Sequence, residues 1–87
     1  MKLFMLRERT SKEEVAFREM LRDRRKDLGL RQADLALRLG KPQSFVSKYE
    51  SGERLLTFVE AVVIFKVLSL DIADVAKVII SSHEAKS

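Results

Sequence analysis

The stretch QADLALRLGKPQSFVSKYE, residues Gln32 to Glu50, decides the fold. Leu35, Ala36 and Leu39 recur at helical spacing and give its first half one apolar face. Gly40 ends that helix, because glycine enters the left-handed C-cap conformation without a Cβ penalty. Pro42 follows two residues later and suits the start of a new helix, where its missing N–H costs nothing. Val46 and Tyr49, three apart, form the inward face of that second helix, which the pattern places over about 42–51. Ala36 stands four residues before Gly40 and Val46 six after it. Two helices crossing steeply over a short turn need such a small side chain at the contact and a glycine in the turn.

Working outward, Leu28-Gly29-Leu30 precedes the stretch and Glu50-Ser51-Gly52-Glu53-Arg54 closes it. With these flanks, the region from about Phe17 to Val75 resembles the phage repressor/Cro-like (XRE) family of DNA-binding regulators. The resemblance implies an all-α, five-helix lambda-repressor-like domain with a helix-turn-helix at 32–51. Three positions depart from the family pattern. Arg31 stands where a Ser or Thr usually caps, Lys41 replaces an apolar turn residue, and Leu56 replaces a common proline.

The chain has 87 residues, enough for one domain with a core only just adequate for its size. It has no cysteine, so neither a disulfide nor a thiolate zinc site supplements that core. A hydrophobic content of 46% suffices for a globular fold. The longest apolar run, Ala61 to Phe65, is far too short to span a bilayer. No small-residue cleavage site follows Leu3-Phe4-Met5-Leu6, so no secretory signal is expected and the expected location is cytoplasmic, at the nucleoid through DNA. The net charge of +4 permits a polyanionic partner. Residues 1–31 hold ten Lys/Arg against six Asp/Glu, whereas 55–87 hold three against four. That asymmetry fits one end for nucleic acid and the other for protein.

Along the chain, residues 1–10 form a mixed apolar and basic arm. It either reaches around a duplex, as in some repressors that the chain resembles, or is a frayed terminus or a strand packed on a partner. Thr10 with Glu13, or Ser11 with Glu14, offers a capping box for the first helix, which ends near Leu28. Val15, Met20, Leu21 and Leu28 supply much of its apolar stripe, and the run Arg22 to Asp27 reads mostly as a solvated face. Thr57 with Glu60 opens a fourth helix to about Leu68, apolar nearly all round and therefore expected to be buried on more than one side. Asp71 caps a fifth helix. The folded domain is expected over 11–81, with dimerisation helices over about 57–81 and a disordered tail at 82–87.

The expected DNA-reading residues are Gln43, Ser44, Ser47 and Lys48, which lie opposite Val46 and Tyr49 on the second helix of the motif. Gln pairs bidentately with adenine, Lys donates to guanine, and Ser accommodates several bases. Gln32, Arg31, Lys41, Ser51 and Arg54 are the expected phosphate contacts. Phe45 either stacks on a thymine methyl or sugar or packs against the neighbouring helix. The resemblance further implies a structural pair between Arg25 and Glu50, and a symmetric homodimer through the C-terminal helices. The apolar excess there assigns Phe65, Leu68, Ile72, Val75, Ile79 and Ile80 to that interface.

No enzyme is expected. The single histidine, His83, has no ligand cluster, no glycine-rich phosphate loop exists, and no serine has a readable base partner. No metal or other cofactor is called for. Double-stranded DNA is the expected partner, with a transcriptional regulator, most often a repressor, as the first reading. An antitoxin that binds a toxin while autoregulating its operon is the second, and a module used only for protein contacts, such as with a signalling protein, is the third.

Overall fold

The computed structural model describes residues 8–84, and every described element is helical. The order is α1 (Lys12–Asp27), α2 (Gln32–Leu39), α3 (Gln43–Ser51), α4 (Phe58–Leu68) and α5 (Ile72–Glu84). Of the N-terminal arm expected at 1–10, residues 1–7 lie outside the described residues, as do 85–87 of the tail.

Capping chemistry sets these boundaries. Ser11, rather than Thr10, caps α1: its Oγ accepts from the Glu14 N–H at 3.1 Å. Gly40 and Gly52 end α2 and α3 in the left-handed region, at φ 67° and 86°. Thr57 and Glu60 form the reciprocal capping box of α4, with bonds of 3.1 and 3.0 Å. Asp71 Oδ1 accepts from the Ala73 N–H at 2.8 Å and so opens α5. That helix continues to Glu84, so the folded domain passes beyond the expected limit at Ser81. The apolar pattern fades there, but His83 Nδ1 lies 2.5 Å from Glu13 Oε2 and ties the end of α5 to the start of α1.

α5 packs mainly along α1, α2 crosses α3, and α1 and α4 close the remaining sides. The core combines Leu21 of α1, Leu35 and Ala36 of α2, Val46 and Tyr49 of α3, and Ala61, Ile64, Phe65 and Leu68 of α4. Leu56 and Val75 complete it. The departure at Leu56 therefore adds a buried side chain where the family commonly has proline.

Two expectations change at this level. Phe65, Leu68 and Val75 belong to the monomer core rather than to a subunit interface, Leu68 being 0% exposed. They point between the helices of one chain, where Phe65 and Val75 also form the floor of a groove beside α4. Nor is α4 buried on several sides: Phe58 and Val59 are each 72% exposed, and Val63 is 50% exposed. Five short helices supply one covered face to α4, and the rest of its apolar surface faces outward.

The charge run in α1 is also less solvated than its composition suggests. Arg24 Nε donates to the Leu68 carbonyl at 2.8 Å, satisfying an orphan group at the α4 C-terminus where the helix dipole favours a cation. Arg25 is buried.

Candidate nucleic-acid interface

The second helix of the motif, α3, is held by a polar network beneath its outer face. Arg25 Nε and Nη2 grip the two carboxylate oxygens of Glu50 at 2.7 and 2.9 Å, and Arg25 Nη1 donates to the Leu30 carbonyl at 2.8 Å. Arg25 and Glu50 are 6% and 8% exposed, so the expected pair is present as a buried fork. Glu50 raises the Arg25 guanidinium above its ordinary value, chiefly through that hydrogen bond.

Glu50 also accepts from Gln32 Nε2 at 3.0 Å, and Gln32 Oε1 accepts in turn from Gln43 Nε2 at 3.4 Å. Arg25, Glu50, Gln32 and Gln43 thus form one chain from the first helix to the N-terminus of α3. Its last link is long and exposed, so the network orders Gln32 firmly and restrains the Gln43 side chain only weakly before any ligand arrives.

Val46, Tyr49 and Glu50 face inward, and the opposite side of α3 is open. Gln43, Ser44, Ser47 and Lys48 are all exposed. Ser51 is exposed too, but its Oγ donates to the Lys48 carbonyl at 3.0 Å and accepts from the Glu53 N–H at 3.3 Å. It therefore finishes the helix as well as facing outward.

Phe45 lies on one flank of that face, half-buried and edge-on to Tyr49 at 5.7 Å between ring centroids. Lys41 Nζ stands 5.4 Å and the Arg54 guanidinium 5.2 Å from its ring centroid. Two cations are thereby held beside the helix by one aromatic ring. The polar turn residue Lys41, a departure in sequence, becomes half of this arrangement. Arg54 is further fixed by an ion pair with Glu60. The Glu60 carboxyl is held below the usual carboxylate range, first by the Thr57 N–H and then by Arg54. Sequence reading missed Glu60 in this role because its capping-box function already accounted for it.

Arg31 departs from expectation in part. Its Nε and Nη2 donate to the two Asp34 oxygens at 3.0 and 2.8 Å, and its backbone N–H donates to Asp34 Oδ2 at 2.8 Å. The missing Ser/Thr cap is thus offset by the N3 carboxylate, which keeps half of a capping box. The Arg31 side chain is exposed and paired with Asp34, as Arg54 is with Glu60.

Among the described residues, no group of three or more His, Asp or Glu is placed to hold a metal ion. No described helix is long and apolar enough to cross a membrane. The profile of the Cro/C1-type helix-turn-helix family, also called XRE, matches residues 21–75. The chain belongs to this family of DNA-binding helix-turn-helix regulators. No curated protein matches the sequence.

Proposed function

We propose that the protein is a repressor that binds a palindromic operator as a symmetric homodimer, with α3 of each copy in the major groove. The observation that carries this reading is the open polar face of Gln43, Ser44, Ser47 and Lys48, backed by the buried Arg25–Glu50–Gln32 network. Gln43, Ser44, Ser47 and Lys48 contact base edges. Lys41 and Arg54 flank the helix and contact phosphates, with Gln32, Ser51 and Arg31 in supporting positions.

One such module offers few base contacts, and a two-fold dimer doubles them by setting two recognition helices about 34–36 Å apart. The exposed apolar residues Val59, Val62 and Val63 of α4, with Ile80 of α5, supply the dimer surface in this reading. Of the other residues that the sequence pattern assigns there, Ile72 and Ile79 lie against a groove on the other flank of α4.

Selection of binding sites from a random duplex pool, followed by affinity against salt, tests the proposal. An enriched palindrome bound with a steep salt dependence is expected. Weak binding without any enriched sequence overturns it and leaves a module for protein contacts.

A further inference from the structure

A groove of about 360 Å³ runs between α1, α4 and α5. Its apolar lining includes Phe17, Phe58, Ala61, Ile72, Ala76 and Ile79, and its acidic residues are Glu13 and Glu14. Phe58 remains largely exposed and Ile72 about half exposed despite lining it, so the groove presents apolar surface that the described residues do not cover.

We propose that the groove is the docking site of this chain's own N-terminal segment, Leu3-Phe4-Met5-Leu6. Three observations select this occupant. First, the seven residues before Glu8 read Met-Lys-Leu-Phe-Met-Leu-Arg, an apolar tetrad bracketed by Lys2 and Arg7. Apolar side chains match the lining, and the flanking cations match the acidic rim at Glu13, which His83 also meets.

Second, the chain is delivered to the groove. The Arg9 carbonyl accepts from Arg18 Nη1 at 2.6 Å, and Arg9 Nη1 donates to the Glu53 carbonyl at 3.1 Å. Arg9 is thereby pinned between α1 and the α3–α4 connection, whose Leu56 and Thr57 line the groove. Third, the length suffices. Five residues from Arg9 to Phe4 reach about 17 Å when extended, whereas Phe58 to Phe65 along α4 spans about 10 Å.

A tethered segment also competes well against a second copy, because a short linker gives it an effective concentration in the millimolar range. Docking in cis leaves Val59 and Val63, on the outer side of α4, available for dimerisation. It does not depend on DNA binding.

The chain contains no cysteine, so engineered pairs report cleanly. In the full chain, Phe4→Cys/Ala76→Cys under mild oxidation is expected to give an intramolecular disulfide, formed at a rate independent of protein concentration. Phe4→Cys paired with Leu37→Cys, which lies on exposed α2 surface, is the control and should cross-link far more slowly. Phe4→Asp should lower the melting temperature. A covalent dimer as main product would transfer the groove to a second copy. Equal rates for the control pair, no cross-link, or unchanged melting of Phe4→Asp would each overturn the proposal.

Discussion

Arg25 and Glu50 are joined by two nearly parallel hydrogen bonds, 2.7 and 2.9 Å, in a site less than a tenth exposed. The pair locks the first helix to the end of α3. Removing one partner leaves the other as a buried, unpaired charge, which typically costs about 3–5 kcal/mol. Glu50→Ala is therefore expected to lower unfolding stability by about that amount in urea titration. The double variant Arg25→Met/Glu50→Leu should lose much less, because both charges leave the interior together. It should nonetheless bind DNA more weakly, since Gln32 then has no carboxylate to orient it.

In the proposed function, the outer face of α3 reads bases while Lys41 and Arg54 beside it anchor to phosphates. Gln43→Ala or Lys48→Ala is expected to relax preference at individual base positions, each worth about 1–3 kcal/mol of discrimination. Lys41→Ala or Arg54→Ala should weaken all sequences alike and reduce the salt slope by about 0.9 for each phosphate no longer neutralised. Selection profiles and salt titrations of the four variants distinguish these classes. Base preferences that survive in Gln43→Ala and Lys48→Ala would remove both residues from the reading set.

Much of this arrangement is legible in the sequence because it follows from short-range rules. Gly40, Pro42, Gly52 and the Thr57–Glu60 box mark helix ends within a residue of where they fall. The Arg25–Glu50 pair is legible only through family resemblance, since spacing alone does not say that residues 25 apart meet. Other features needed three dimensions. Periodicity identifies Leu68 and Val75 as apolar but not whether their own domain or a partner covers them. Nor could it tell that Arg24 reaches across to the α4 carbonyls, or that Lys41 and Arg54 flank one ring. Those contacts depend on how the helices cross, which the one-dimensional pattern leaves open.

Asp34 gives a pH signature. Its carboxyl is held down at about 2, first by the Arg31 side chain and then by the Arg31 N–H. The folded-state value lies below the ordinary carboxylate value of about 3.9. The stabilisation is therefore fully present above that value and lost as pH falls towards about 2. Asp34→Asn removes the titration, so its melting temperature should fall less steeply than that of the wild type over this window. Parallel slopes for the two proteins would mean that the Arg31–Asp34 pair contributes nothing to folding.

Tyr49 is buried through its whole ring, and among the described residues its hydroxyl has no hydrogen-bond partner. Burial pushes the phenol pKa well above its ordinary value, so the group stays protonated. An unsatisfied buried hydroxyl is costly, whereas the ring alone makes the packing contacts. Tyr49→Phe is expected to leave stability unchanged or raise it by about 1 kcal/mol. A loss exceeding that in urea unfolding would require the hydroxyl to have a partner in solution.

The two apolar sides of α4 predict opposite mutational outcomes. Val59 and Val63 face outward, so in the proposed homodimer Val59→Asp or Val63→Asp should leave the helical circular dichroism intact while shifting sedimentation from dimer to monomer. Binding to a palindrome should fall steeply with the dimer, because each half-site then binds alone. Leu68 is enclosed within one chain, and Leu68→Ala should cost about 2–5 kcal/mol of unfolding stability. Any dissociation it causes should appear only as the domain unfolds. The contrast between the two sides is more telling than either variant alone: a dimer sensitive to Leu68 but indifferent to Val59 and Val63 would place the subunit interface elsewhere on the fold.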